Sequence, residues 1–356
     1  MPLPFFNRRA RSRDQLIAID LGGRTSKAVH VQRKGESYIL TRYALLDAPI
    51  YEKSLSVDLL SEHLKAIYHA LETKTRAVSL AMGVGDFIVR HAELPQMRLE
   101  DMRQVLKNNT KLYLQQDLPG HVFDCCVVAS RQPVKAADKP KAGTMPKQKV
   151  LAAGAKQQLV DDLQTAVKNA GLTADHIVPG LIGPVNAFEK ALPELFQREV
   201  IALVDIGFRN SSICLLQEGE LIMSRVLAIG GDKLTIGLAE AMGISYAEAE
   251  GIKLGMPAEV QGQLQEFVSP LGRELKASID FFEHQQDRPM THVFVSGGSA
   301  QSEFILQTLQ AELMVECRTW NPTGFMQHAL PPQQVAEVEQ VSPQLTVAVG
   351  TALAAF

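Results

Sequence analysis

"AIDLGGRTSKAVHV", Ala18 to Val31, is the stretch whose reading decides the fold. An apolar run ends in one carboxylate, Asp20. Gly22 and Gly23 follow, then Arg24, Thr25, Ser26 and Lys27, and the chain turns apolar again at Ala28, Val29 and Val31. Two apolar runs around a short glycine-bearing bend read as a β-hairpin. The plan returns in "LVDIGFRNSSICLL", Leu203 to Leu216. There Asp205 matches Asp20, Gly207 matches Gly22, Arg209 matches Arg24 and Ser211 matches Ser26. A single recurrence at so long an interval indicates two related halves, because solenoid periods run to only about 20–50 residues.

The turn chemistry narrows the class. A P-loop requires GxxxxGK[ST], and a dinucleotide fingerprint requires GxGxxG opening a helix. Here the glycines lead into a second strand instead. Hairpin turns of this kind can aim backbone N–H groups at an anion, and glycine lets the backbone approach it closely. Two facing hairpins could grip a polyphosphate from both sides. A carboxylate at each turn, Asp20 and Asp205, would then hold hydrated Mg²⁺, which takes oxygen ligands and keeps several waters.

Composition sets the outer limits. The chain has 356 residues, 46% of them hydrophobic, which is enough for two lobes with sizeable cores. A net charge of −3 argues against a general nucleic-acid binder. No apolar run is long enough to span a bilayer, and no signal peptide is visible. The basic start, "MPLPFFNRRARSR", reads as a solvated tail. Cys125, Cys126, Cys214 and Cys317 form no CxxC pair and read as reduced thiols of a cytoplasmic protein.

These residues resemble the actin-like ATPase superfamily, whose two phosphate hairpins have this form. "HVFVSGGSAQ", His292 to Gln301, resembles its adenosine motif through Gly297, Gly298 and Ser299. "AEAEGIK", Ala247 to Lys253, resembles its ribose-contacting segment, with Glu250 and Lys253 on one helical face. "LTVAVGTALAAF", Leu345 to Phe356, with small residues at Ala348, Gly350, Ala352 and Ala354, resembles the closely packed helix that connects the lobes. Within the superfamily, "EGELIMSRVLAIGGDKLTIGLAEAMGISYAEAEGIKLG" (Glu218 to Gly255), "GDFIVRHAELPQM" (Gly85 to Met97) and "RELKASIDFFEHQ" (Arg273 to Gln285) resemble the PilM family of type IV pilus assembly proteins. The resemblance covers nearly the whole chain.

The resemblance implies an α/β, two-lobed actin-like ATPase fold: duplicated ribonuclease H-like halves with an inserted α+β subdomain in lobe one. It predicts a basic tail over 1–15, lobe one over 16–84, the insert over 85–180, a connecting helix region over 181–198, lobe two over 199–340 and a closing helix over 341–356. ATP and Mg²⁺ are the implied cofactors. The implied nucleotide contacts are Gly22, Gly23, Thr25, Ser26, Lys27, Gly207, Asn210, Ser211, Ser212, Glu250, Lys253, Gly297, Gly298 and Ser299, with Asp20 and Asp205 at the metal. Arg24 and Arg209 depart from the family's small turn residues. They could add guanidinium groups to the phosphates, or they could crowd the cleft.

The implied partner is the N-terminal cytoplasmic segment of the inner-membrane protein PilN, with other pilus inner-membrane and motor components beyond it. Membrane contact would run only through partners, and nucleic acid is not expected. Two alternatives stand beside this adaptor reading. One is a filament-forming cell-division protein like FtsA, against which the end at Phe356, right after the connecting helix, is an argument. The other is a nucleotide-free scaffold of the same fold. Hydrolysis needs a group that positions an in-line water; Asn186 and Glu189 are the nameable candidates, and no catalytic residue is assigned.

The rest of the chain gives coarser expectations. Leu59, Leu60, Leu64, Ile67 and Leu71 have helical spacing. Residues 98–117 read as one amphipathic run through Leu99, Met102, Val105, Leu106, Leu112 and Tyr113. Residues 130–148, rich in Lys and Pro, read as an exposed loop between paired strands. A helix with a glycine near its end is expected around Leu159, Leu163 and Val167.

Overall fold

The structure is a computed structural model that describes residues 13–49, 56–128, 146–255 and 260–356. The basic tail and the body of the 130–148 loop lie outside the described residues. Lys147 and Gln148, read as loop, belong to a strand instead.

Lobe one is built on a six-stranded sheet in the order β14-β3-β2-β1-β4-β8. Its strands are β1 (Gln15–Asp20), β2 (Thr25–Lys34), β3 (Ser37–Asp47), β4 (Ala77–Met82), β8 (Thr173–Pro179) and β14 (Gln327–His328). β1 and β2 pair antiparallel from Gln15↔Gln32 to Asp20↔Lys27, which makes Leu21 to Arg24 the hairpin turn. β1 is apolar and buried from Leu16 through Ile19 because β2 and the parallel β4 flank it, as expected for a central strand. Helices α1 (Val57–Ala70) and α4 (Gln157–Asn169) pack on one another, and Leu60, Leu64 and Ile67 are buried, whereas Leu59 is exposed.

Between β4 and α4 lies the insert. β5 (Phe87–Pro95), β6 (His121–Val127) and β7 (Lys147–Lys156) form a sheet of their own in the order β5-β7-β6. The amphipathic run divides at Asn109 into α2 (Leu99–Asn108) and α3 (Thr110–Leu114). Met102 and Leu106 are buried under α2, while Leu99 and Leu112 face solvent. The sequence reading carried the insert to residue 180. The structure corrects this: β8 pairs in parallel with β4 and α4 packs on α1, so the chain rejoins lobe one directly after Lys156.

Lobe two repeats the plan in a five-stranded sheet ordered β11-β10-β9-β12-β13. The strands are β9 (Val200–Ile206), β10 (Ser211–Gln217), β11 (Glu220–Leu227), β12 (His292–Ser296) and β13 (Cys317–Thr319). β9 and β10 form the second hairpin, antiparallel through Ser211↔Ile206, and β12 flanks β9 in parallel as β4 flanks β1. Helices α7 (Gly231–Met242), α8 (Tyr246–Gly255), α9 (Gln261–Gln286) and α10 (Glu303–Leu313) belong to this lobe, and α11 (Pro332–Val341) follows β14.

The lobes meet where α5 (Gly183–Ala191), ahead of the short α6 (Pro193–Arg198), crosses α12 (Thr346–Leu353). α12 lies on β1, β2 and β4 of lobe one. α5 leans on lobe two: the Phe188 ring packs edge-on against Phe294 of β12 at 4.7 Å and against Trp320 at 5.1 Å. The crossing is glycine on glycine. A Cβ on Gly350 would fall 2.5 Å from the Gly183 carbonyl carbon. Small residues at the contact are what let the two backbones come this close.

A candidate nucleotide cleft between the lobes

Both hairpin turns open into one inter-lobe cavity of about 850 Å³. Gly22, Gly23, Thr25, Ser26 and Lys27 line it from lobe one, and Gly207 and Asn210 line it from lobe two. The turns abut, since a Cβ on Gly23 would come 3.2 Å from Phe208 Cδ1. Gly297, Gly298 and Ser299 border the same space, as do Glu250 and Lys253. Gly297 has φ +94°, a conformation that L side chains rarely adopt, and it carries the chain from β12 into a short 3₁₀ turn.

Asp20 ends β1, Asp205 stands one residue before the end of β9, and both line the cavity. Burial pushes both carboxyls above the ordinary carboxylate range. For Asp205 the negative charge of Asp20 adds to that push, while a hydrogen bond from Ser296 Oγ at 2.8 Å opposes it. Lys27 Nζ, 3.4 Å from Asp20 Oδ2, supplies one positive charge. The buried Asp20 and half-buried Asp205 carboxylates, with one lysine, leave this floor one positive charge short. Hard oxygen donors held away from water suit a small divalent cation, and Mg²⁺ is commonly held by one or two carboxylates plus phosphate oxygens and waters. The residues present therefore fit Mg²⁺. Among the described residues there is no group of three or more His, Cys, Asp or Glu side chains of the kind that holds a metal by itself.

The structure separates the sequence-read contacts. Ser211 and Ser212 do not line the cavity. They belong to β10, where Ser211 is fully buried and donates from Oγ to the Ile229 carbonyl at 2.6 Å, and Ser212 is 2% exposed. Once the turn ends at Asn210, strand alternation carries these side chains into the sheet faces. Lys253 reaches the cleft as a strut: Nζ donates to Glu250 Oε2 at 2.8 Å, to Thr235 Oγ1 at 2.8 Å and to the Gly231 carbonyl at 3.3 Å. Burial lowers the Lys253 pKa. Burial also works to raise the Glu250 carboxyl, but hydrogen bonds from Lys253 and Thr235 outweigh it and the net shift is downward. Lys253 ties α8 to the start of α7, and α7 in turn donates from the Gly231 and Asp232 N–H groups to the Gly207 and Phe208 carbonyls of the second turn.

Arg24 lines the cavity and spans it. Its guanidinium reaches across to lobe two, 3.3 Å from Tyr246 Oη and 3.4 Å from Glu250 Oε2. Arg209 also lines the cavity and acts electrostatically on Asp86 at the root of the insert. Asn186 lies in the helix crossing, where Nδ2 donates to the Gly350 carbonyl at 3.3 Å, and neither it nor Glu189 lines the cavity. One lining residue that the sequence reading missed is His63 of α1, whose Nε2 lies 2.9 Å from Ser26 Oγ.

Paired hairpins, an adenosine-type glycine turn and duplicated sheets around one cleft define a protein of actin-like ATPase fold. The chain matches the type IV pilus assembly protein PilM family over residues 18–356, and it belongs to that family. It is similar to the protein of a solved PilM-PilN type IV pilus biogenesis complex, with a TM-score of 0.81 and 21% identity, covering 96% of this chain and 98% of that one. The ethanolamine utilization protein EutJ of Carboxydothermus hydrogenoformans aligns with a TM-score of 0.56 and 16% identity, covering 97% of this chain and 91% of that one. MreB 5 of Spiroplasma citri, solved with AMPPNP, aligns with a TM-score of 0.52 and 10% identity, over 96% of each chain. The cell division protein FtsA of Bacillus subtilis is 22% identical over 254 residues, which is 67% of this chain and 57% of FtsA. The chain thus spans little more than half the length of that curated relative.

Proposed function

We propose that the protein is an ATP-binding adaptor of type IV pilus assembly. Its two lobes hold one Mg²⁺-nucleotide, and an extended N-terminal segment of PilN binds in a groove beside the insert. The observation that carries the nucleotide half is the convergence of both hairpin turns, Gly297 and the two aspartates on a single cavity. The family and the similar PilM-PilN complex support the partner half.

In this reading the turns at Gly22 to Thr25 and Gly207 to Asn210 face the phosphates, the Gly207 N–H being used within its own turn on the Asn210 carbonyl, and Asp20 and Asp205 would hold Mg²⁺. Gly297, Gly298 and Ser299 take the adenosine, and Glu250 takes the ribose with Lys253 bracing it. Bound Mg²⁺ neutralises phosphate charge. Ligand binding between the lobes favours the closed arrangement, and a partner that distinguishes open from closed is then coupled to the nucleotide by linkage. No helix among the described residues is long and apolar enough to cross a membrane, so we assign contact with the inner membrane to partners, PilN first and the motor components beyond it.

The test is titration with a fluorescent ATP analogue, with and without Mg²⁺, beside a peptide of the PilN N-terminus. Mg²⁺-dependent nucleotide binding, and peptide binding without sedimentable polymer, support the adaptor. Polymer on ATP addition supports a filament protein instead. Peptide binding with no nucleotide binding supports a nucleotide-free scaffold.

A further inference from the structure

His63 lies in none of the motifs quoted above, yet it faces the first hairpin. It lies on the inward side of α1 with Leu60, Leu64 and Ile67. Those three pack into the lobe-one core, but His63 borders the cleft and contacts Ser26 of β2 across a sequence separation of 37 residues. The residue is 9% exposed and Ser26 is 2% exposed. A buried serine hydroxyl with one fixed partner has its remaining hydrogen-bonding capacity aimed in a defined direction.

We propose that His63 is a positioning residue for the phosphate site: through Nε2 it holds the Ser26 hydroxyl so that its hydrogen is presented to a phosphate oxygen. This rests on the nucleotide reading given above. A phosphate oxygen only accepts, so Ser26 must donate to it. The serine oxygen must then accept, and the group placed to donate is His63 Nε2–H, 2.9 Å away. Burial holds the His63 pKa below the ordinary histidine value, which keeps the imidazole neutral and lets one tautomer serve. A phosphate-bearing ligand therefore selects the tautomer with hydrogen on Nε2. A nucleoside without phosphate makes no such demand.

The experiment compares the wild type with His63→Leu and His63→Gln, using calorimetric titration of Mg²⁺-ATP and of adenosine. Losing the orienting bond of one charge-facing hydroxyl is expected to weaken Mg²⁺-ATP binding in His63→Leu by about tenfold. Adenosine affinity should not change. His63→Gln keeps an N–H donor on a side chain of similar reach and should recover most of the loss. In the wild type, ¹⁵N NMR should show the His63 Nε2 protonated in the Mg²⁺-ATP complex, a readout that stands even where a variant folds poorly. Wild-type Mg²⁺-ATP affinity in both variants, equal losses for adenosine and ATP, or an unprotonated Nε2 in the complex would each overturn the assignment. A wild type that binds no Mg²⁺-ATP would instead overturn the nucleotide reading beneath it.

Discussion

Replacing Gly350 with alanine tests whether the α5/α12 crossing is the joint between the lobes. The added Cβ would lie 2.5 Å from the Gly183 carbonyl carbon and 2.8 Å from its Cα. Carbon atoms rest at about 3.5–4.0 Å, so the helices must part locally by about 1 Å. Neither helix has free space for this. α12 is buried along its whole length, and Phe188 of α5 is fully enclosed between Phe294 and Trp320. Overpacking of this kind costs about 1–3 kcal/mol. Displacing the Asn186 hydrogen bond to the Gly350 carbonyl adds about 1 kcal/mol. At roughly 2–4 °C of Tm per kcal/mol, the summed cost of about 2–4 kcal/mol gives an expected loss of about 4–16 °C by calorimetry or differential scanning fluorimetry. Gly251→Ala is the matched control. Gly251 sits in exposed α8 with no atom within 4 Å of its absent Cβ, and alanine there should be neutral or stabilising by up to about 1 kcal/mol. Because α12 bears on lobe one and α5 on lobe two, Gly350→Ala should also weaken nucleotide binding, which Gly251→Ala should not. A Gly350→Ala protein that melts within 1 °C of wild type, a margin of roughly the resolution of one small contact, would refute the close crossing.

The remaining predictions concern the cleft. Asp205→Asn should raise Tm at pH 7. The folded state raises this carboxyl's pKa, so folding favours its protonated form: the group contributes most below its unfolded pKa and opposes folding once pH passes the folded value. The gain in Tm should accordingly shrink toward about pH 4, and a drop in Tm at pH 7 would show that burial is not the dominant influence. The same substitution should weaken Mg²⁺-dependent ATP binding. Arg24→Ala should change Tm by no more than about 2 °C, because its bridges to Tyr246 and Glu250 are partly exposed and exposed pairs contribute little. It should lower ATP affinity roughly three- to tenfold with a shallower salt dependence, consistent with one lost charge-assisted contact; a gain in affinity would identify Arg24 as a plug. Glu250→Gln should destabilise the protein by about 3 kcal/mol, seen by urea unfolding, because it removes the carboxylate paired with the buried Lys253 ammonium.

The fold was legible because duplication leaves two copies of one local pattern. A hairpin is short-range, so Asp20, Gly22 and Lys27 could be read together, and the copy at Asp205 and Gly207 confirmed the period. Register across a turn is harder to read. The sequence does not say that the bend closes at Asn210, and so Ser211 and Ser212 were counted with the turn although β10 takes them into the sheet. The insert boundary failed for a related reason: β8 finds its place only against β4, about a hundred residues earlier, and nothing local to Thr173–Pro179 announces that partner. His63 gave one clue, a polar residue among the inward positions of a helix. Its partner Ser26 lies on another element, and only tertiary structure brings the two together.

A structure of the protein with a non-hydrolysable ATP analogue and Mg²⁺ measures the central claim directly. The triphosphate should lie between the Gly22–Lys27 and Gly207–Asn210 turns, with Mg²⁺ waters on Asp20 and Asp205 and the adenosine against Gly297 and Gly298. A nucleotide bound elsewhere, or an empty cleft at saturating ligand, would contradict it.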